Sequence, residues 1–484
     1  MPAASKTASS APATERVVTL SLISHTNAGK TTLARTLLRE DVGEVRDAPH
    51  VTVFNESHHL LRAGDSLLRL WDTPGFGDSG RLLKRLRRER NALLWFFSQT
   101  WDRITDKPLW CSQQALKNAR EEADVVLYLV NAGEPPESAA HIQPEMEILG
   151  WLGKPVLVLL NQTGIEGPSP EEIEHWRSFL ADQAVVRAVL PLDAFARCWV
   201  QETVLMDTIA PLLREEKHAA FEELRQAWHR RNLTAFEDGM RLLADLLTSA
   251  VLDGAEVRAE SLLEKIGIGR SEINREYHDA RQALAARLAE RMERVTDGLI
   301  LLHGLEGKAG APTASALGAA FHRSERVSEN IWGALGGFAG GAMGGLIADL
   351  KMGGMSFGGG ALIGGLASGL TTYAVIRSYN LVRGGDDRLH WSREHFREQT
   401  RLALLCYLAV AHFGRGRGPW HEGEQPARWR ALVERLVEDE KEAVEHIWKL
   451  GIEKHAMPET VVREAHRLVK RLCQAALREL YPAS

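Results

Sequence analysis

Ser24-His25-Thr26-Asn27-Ala28-Gly29-Lys30-Thr31 is the stretch on which the fold of this chain turns. The apolar run Val17-Val18-Thr19-Leu20-Ser21-Leu22-Ile23 precedes it, and Thr32-Leu33-Ala34-Arg35-Thr36-Leu37-Leu38 follows. Strand, tight loop and helix in that order are the setting of a phosphate-binding P-loop. In such a loop, backbone N–H groups and the helix N-terminus behind them wrap nucleotide phosphates. Ser24, Thr26, Asn27, Ala28, Gly29 and Thr32 would form the cradle. Lys30 would reach the β/γ oxygens, and the Thr31 hydroxyl would take one Mg²⁺ position. One departure is plain: Ser24 stands where G-x-x-x-x-G-K-[ST] begins with glycine.

A second element lies where a nucleotide switch needs it. Leu67-Leu68-Arg69-Leu70-Trp71 reads as a strand and runs into Asp72-Thr73-Pro74-Gly75. Asp72 would hold Mg²⁺ through water, and the Gly75 N–H would contact the γ-phosphate. Asp41 to Val53 is the expected first switch. Thr52 is its candidate threonine for Mg²⁺ and the γ-phosphate, and an ordinary strand residue is the other reading of that position.

Ile23-Ser24-His25-Thr26-Asn27-Ala28-Gly29-Lys30-Thr31-Thr32, taken with Trp71-Asp72-Thr73-Pro74-Gly75-Phe76-Gly77-Asp78, resembles the Era/TrmE-like branch of bacterial GTPases over residues 16–215. The whole chain resembles a bacterial group whose C-terminal half is classed as a domain of unknown function. The resemblance implies GTP hydrolysis to GDP and phosphate, with Mg²⁺ as cofactor. Phe76 follows the Asp-x-x-Gly motif, where Ras-type enzymes carry a water-orienting Gln. A phenyl ring cannot polarise water, so slow turnover is implied unless another group, a partner or a cation assists. Asn27 matches the P-loop Asn that helps bind K⁺ in similar enzymes, and K⁺ there would supply transition-state charge. The alternative for Asn27 is a loop residue holding its own turn. Similar GTPases often dimerise through their switches in a nucleotide-dependent way.

The base-reading motif departs most from that family. After the apolar strand Pro155–Leu160, the expected Asn-Lys-x-Asp appears as Asn161-Gln162-Thr163-Gly164. Asn161 is in place, and the carboxylate that pairs with guanine N1 and N2 is not. Its loss would weaken discrimination against adenine by about 1.5–3 kcal/mol. Asp193, in Leu192-Asp193-Ala194 near the last family motif, is the candidate substitute.

At 484 residues, 25% charged, the chain is long enough for two or three domains. A net charge of −5 argues against binding nucleic acid over the whole surface. Residues 1–15 read as a polar, disordered tail with no apolar signal core. Cys111, Cys198, Cys406 and Cys473 lack C-x-x-C spacing and read as reduced core thiols of a cytoplasmic protein. The histidines form no recognisable metal set, and His58-His59 suits an edge strand.

Strands are expected at about 17–23, 51–61, 66–71, 124–131, 155–161 and 185–190, with helical patterns between most of them. That alternation predicts an α/β, doubly wound P-loop NTPase sheet with nucleotide at the C-terminal strand ends. The link from Gly75 to Asp124 is long, and residues 80–120 read as an insertion. Arg81, Lys84, Arg85, Arg87, Arg88 and Arg90 crowd its start, with Leu93–Phe97, Trp101 and Trp110 beyond. Basic plus aromatic suits an interfacial helix, a partner groove or RNA, and a helical hairpin whose aromatics pack on the C-terminal half and whose arginines are solvated suits equally.

Residues 216–484 read as a mostly α-helical C-terminal domain, with amphipathic runs at Arg281–Val295 and Ala427–Trp448; Leu402–Phe413 reads as core. Within it, residues 331–376 carry only Asp349 and Lys351 as charges, and Gly333, Gly337, Gly341 and Gly345 recur at helical spacing. This glycine-rich stretch predicts a helical hairpin able to meet membrane lipid or a membrane protein, with the chain at or in the inner membrane. A soluble hairpin buried in the C-terminal domain is the other reading. Three functions follow: a GTP-hydrolysing switch working through a membrane-associated helical domain, an Era-like GTPase acting on RNA or ribosome assembly, and a non-hydrolysing nucleotide-binding scaffold.

Overall fold

The structure, a computed structural model, describes residues 15–26, 28–39, 55–88, 107–163, 167–194, 198–256, 270–305, 381–383, 388–413 and 427–482. By compactness the chain divides into two units, the first running to Asn232 and the second beginning at Leu233.

In the first unit, β1 (Arg16–Ser24) is buried at every position from Val18 onward. A strand covered on both faces needs no alternation of polar and apolar residues, which is why this one reads as a nearly continuous apolar run. One face packs Val18, Leu20 and Leu22 against Leu33 and Leu37 of α1 (Lys30–Leu38). The other carries Ile23 into a cluster with Phe76, Leu116 and Ile148. Two cores on opposite faces define the doubly wound arrangement.

The other strands are β2 (Glu56–Ala63), β3 (Ser66–Asp72), β4 (Val125–Asn131), β5 (Val156–Asn161) and β6 (Val186–Pro191). Their order is β2-β3-β1-β4-β5-β6. All neighbours are parallel except β2, which runs antiparallel to β3 as the edge. His58 and His59 therefore lie on an edge strand, as expected. Within the span read as an insertion, α2 (Ser79–Leu86) and α3 (Lys107–Glu121) are described, and residues 89–106 are not. α3 belongs to the domain core, because Leu109, Leu116 and Ala119 are buried in it and the Ser21 hydroxyl donates to Asn118 Oδ1 at 2.6 Å. The layers are completed by α4 (Ile142–Gly150), α5 (Pro170–Leu180) and α6 (Trp199–Ile209).

The helix α7 (Glu215–Leu252) is 38 residues long, about 57 Å at 1.5 Å per residue. Its first turns belong to the first unit, where Lys217 Nζ donates to Asp124 Oδ2 at 2.8 Å and to Val17 O at 2.7 Å. The second unit is mostly helical, with α8 (Arg270–Leu302), α9 (Arg393–Ala411), α10 (Ala427–Asp439), α11 (Lys441–Ile452) and α12 (Pro458–Leu480). Leu402, Leu404, Tyr407 and Leu408 of α9 are core residues, as read from the sequence. The amphipathic run Ala427–Trp448 is two helices rather than one. It breaks at Glu440, whose carboxylate takes both Nε and Nη2 of Arg471 at 3.1 and 2.8 Å. A small sheet in the order β7-β9-β8 joins β7 (Ala255–Glu256), β8 (Leu381–Arg383) and β9 (Arg388–Trp391); it was not expected. The four cysteines are buried and form no disulfide.

The expected glycine-rich hairpin 331–376 and the tail up to residue 14 lie outside the described residues. Among the described residues, no helix is long and apolar enough to cross a membrane.

Candidate nucleotide site

Four chain segments converge at the C-terminal ends of β1, β3, β5 and β6, where a doubly wound sheet binds its ligand. Gly29 caps α1 with φ +88°, in the left-handed region that glycine enters without a Cβ penalty. A Cβ there would also stand 2.7 Å from Asn161 Nδ2. The turn and the close approach both require the motif's glycine. The Lys30 ammonium is buried and donates to Ser24 Oγ at 3.0 Å, so the serine in place of the first glycine gives the lysine a hydroxyl to rest on. Thr32 is buried on α1.

Thr31 Oγ1 donates to Asp72 Oδ2 at 2.5 Å, which brings the P-loop hydroxyl and the Asp-x-x-Gly carboxylate to one point. Asp72 is 1% exposed, and its Oδ1 is buried without a hydrogen-bond partner. An orphaned carboxylate oxygen beside a threonine hydroxyl is the hard oxygen donor set that Mg²⁺ takes, with water and phosphate completing its shell. The residues therefore fit the cation, with Thr31 and Asp72 as its protein partners. Burial pushes the Lys30 ammonium below its usual range, while Asp72 and then Glu145 pull it back up. Burial likewise pushes the Asp72 carboxyl up, opposed by Lys30 and by the Thr31 hydrogen bond. A buried cation and a buried anion, each displaced toward neutrality by burial, are the kind of perturbed pair that functional clefts concentrate.

The second switch is tied to the P-loop by backbone. Phe76 N donates to Ser24 O at 2.8 Å, and Thr26 N donates to Phe76 O at 3.3 Å. Thr26 is thus engaged with the switch segment here instead of turning its N–H to a phosphate cradle. Gly75 is pressed against the loop, since a Cβ on it would lie 3.0 Å from Thr26 Cα and 3.2 Å from Lys30 Nζ. The Phe76 ring is fully buried in the core with Ile23 and Leu82 and offers nothing to a water molecule.

Asn161 joins the P-loop to the base-side loop. Its Nδ2 donates to Ala28 O at 2.7 Å, and its Oδ1 accepts from Ala194 N at 2.8 Å. Beside it, Asp193 Oδ2 accepts from Thr163 N at 2.7 Å and from Thr163 Oγ1 at 3.1 Å. The candidate carboxylate therefore lies in the same loop pair as Asn161, oriented by the residue before Gly164.

Five participants escaped the sequence reading. Gln162 holds φ +59°, a conformation rare for a side chain of its kind, and its amide lies 3.8 Å from where a Cβ on Gly29 would be. His25 Nδ1 lies 2.8 Å from Glu145 Oε1, and Tyr128 donates its hydroxyl to Glu145 Oε2 at 2.6 Å. Glu145 is fully buried on α4, so the P-loop is clamped from behind by a polar cluster. His141 stacks on His25 with centroids 4.2 Å apart. Burial lowers the His141 pKa and raises that of Tyr128 well above its ordinary value. Only the capacity of His and Glu to meet across long sequence separation could have signalled this cluster. Asn27, Thr52 and Gly164, which carry the expected K⁺, first-switch and missing-carboxylate positions, lie outside the described residues.

Residues 19–162 match the family described as 50S ribosome-binding GTPase. None of the curated proteins matches the chain. Among solved structures, Era in complex with MgGDPNP and nucleotides 1506–1542 of 16S ribosomal RNA is 18% identical, with a TM-score of 0.32, over 56% of this chain and 89% of that one. A point variant of Aquifex aeolicus Era bound to GDP and AlF4⁻ is 19% identical, with a TM-score of 0.31, over 56% and 90%. NFeoB from S. thermophilus bound to mGMPPNP is 14% identical, with a TM-score of 0.25, over 59% and 93%. The N-terminal part of the chain has the P-loop GTPase fold, and the family match supports GTP binding and hydrolysis there.

Proposed function

We propose that this chain is a Mg²⁺-dependent, GTP-hydrolysing switch whose nucleotide state is passed to its helical C-terminal half. The observation that carries the reading is the convergence of Lys30, Thr31 and Asp72 next to a switch segment hydrogen-bonded to the P-loop itself. Lys30 would neutralise the β/γ oxygens, and Thr31 with Asp72 would hold Mg²⁺, which supplies charge stabilisation to the transferring phosphoryl group. The γ-phosphate would meet the Gly75 N–H and disturb the ladder between Phe76 and Ser24–Thr26. With Phe76 in the core, no side chain at that position orients water, which supports slow intrinsic turnover. K⁺ held through Asn27 and a switch contact from Thr52 belong to this reading on sequence grounds, as does nucleotide-dependent dimerisation. Asp193 is assigned guanine recognition in place of the absent motif carboxylate. The sequence of 331–376 supports an inner-membrane site of action for the C-terminal half.

The reading is tested by titrating a fluorescent GTP analogue into the full chain with and without Mg²⁺. Lys30→Ala should lower affinity at least ~100-fold, the loss of a buried charge-assisted contact worth about 3 kcal/mol. Unchanged affinity in that variant would remove the P-loop from the account.

A further inference from the structure

The exposed face of α2, immediately downstream of the second switch, is a row of positive charge. Arg81, Lys84, Arg85 and Arg88 fall at i, i+3, i+4 and i+7, one side of a helix. Helical bonding continues past the last residue of α2, with Arg87 N donating to Leu83 O at 3.0 Å and Arg88 N to Arg85 O at 3.1 Å, so the row is unbroken. These side chains line a concavity of about 400 Å³. Asp78 is the one carboxylate lining it among the described residues, and its Oδ1 accepts from Arg81 N as the helix cap. Arg87 points elsewhere and is held by both oxygens of Glu147.

The row concentrates positive charge on one side of a short helix. Like charges at i, i+3 and i, i+4 repel, and a cation in the first turn opposes the helix dipole. The chain is net negative at −5, so the positive row is local rather than a general property of the surface. Every leucine of α2 (Leu82, Leu83, Leu86) is buried, and the outer face presents no apolar or aromatic residue. The α2 face itself therefore offers charge in place of the apolar contact that an interfacial lipid-binding helix or the centre of a protein–protein interface uses. Such a face suits electrostatic recognition of a repeating anion. Arginine forks fit phosphate oxygens, and Arg81 to Arg88 covers about 10 Å along the helix at 1.5 Å per residue, enough for successive phosphates of one strand.

We infer that the α2 face binds the phosphodiester backbone of a nucleic acid strand, without reading its bases. The inference does not depend on which nucleotide the P-loop takes.

The test is fluorescence anisotropy with the full-length, nucleotide-free protein and a labelled single-stranded 20-mer as RNA and as DNA, over a KCl series. With three to four phosphates contacted, log K should fall against log salt with a slope of about −2 to −3. Lys84→Glu with Arg88→Glu should weaken binding at least ~10-fold at low salt, whereas Lys84→Arg with Arg88→Lys should hold it within about two-fold. Binding of the GTP analogue and the thermal melt should be unchanged in both variants. Whichever of RNA and DNA binds more tightly identifies the source of the backbone. Absence of binding to either, equal binding by the charge-reversed protein, or tighter capture of polyglutamate than of both strands would overturn the inference.

Discussion

Asp193 carries the most specific assignment a single residue receives in this chain. Its carboxylate is fixed by two bonds from Thr163 and lies in the loop pair that Asn161 knits to the P-loop. A carboxylate pairing with guanine N1 and N2 contributes about 1.5–3 kcal/mol through hydrogen bonds to a charged group. Asp193→Asn keeps an oxygen for Thr163 and removes the charge. The ratio of kcat/KM for GTP over ATP should then drop about 10- to 100-fold, at 1.4 kcal/mol per decade. A ratio left unchanged would place base recognition elsewhere. The convergence of Lys30, Thr31 and Asp72 and the left-handed turn at Gly29 were legible because the two motifs set those residue types at fixed spacing. Gln162 and the His25–Glu145–Tyr128 cluster were not. His25 and Glu145 meet across 120 positions of sequence, and no local pattern records such a pairing.

At the scale of elements, the end of α1 is held by a buried ionic network. Arg39 Nη2 donates to Asn232 Oδ1 at 2.5 Å and lies 3.7 Å from Glu202 Oε2, and Asn232 Nδ2 donates to the same oxygen at 3.2 Å. Glu202 is fully buried on α6, and Asn232 lies on α7, so α1, α6 and α7 are locked together just upstream of the expected first switch. Glu202→Ala removes the buried carboxylate that faces the Arg39 guanidinium and accepts from Asn232. It should destabilise the first unit by about 3 kcal/mol, the usual cost of breaking a buried pair from one side. Chemical denaturation followed by tryptophan fluorescence reads this, and a change under about 0.5 kcal/mol, typical of surface sites, would refute the network's role. β1, β3, β4 and β5 were legible because buried strands declare themselves as apolar runs, whereas the exposed edge strand β2, read as ending at residue 61, runs on to Ala63. β7, β8 and β9 were not legible, since two to four residues are too few to show a period. The break at Glu440 also left no mark, because the amphipathic pattern continues across it and Arg471, from a distant helix, engages its carboxylate.

Over the whole molecule, a P-loop GTPase fold precedes a helical region, and α7 carries the chain from the first unit into the second. The glycine spacing of 331–376 keeps membrane association a proposal of the sequence, separate from the described helices. GTP hydrolysis belongs to the first unit, where Lys30, Thr31 and Asp72 converge. Phosphate release from GTP and from ATP by the full chain with Mg²⁺, each in K⁺ and in Na⁺, reads that hydrolysis. Slow turnover that prefers GTP, needs Mg²⁺ and rises in K⁺ is the expected result. ATP consumed as fast as GTP, or no phosphate released in either salt from a protein that binds nucleotide tightly, would contradict it.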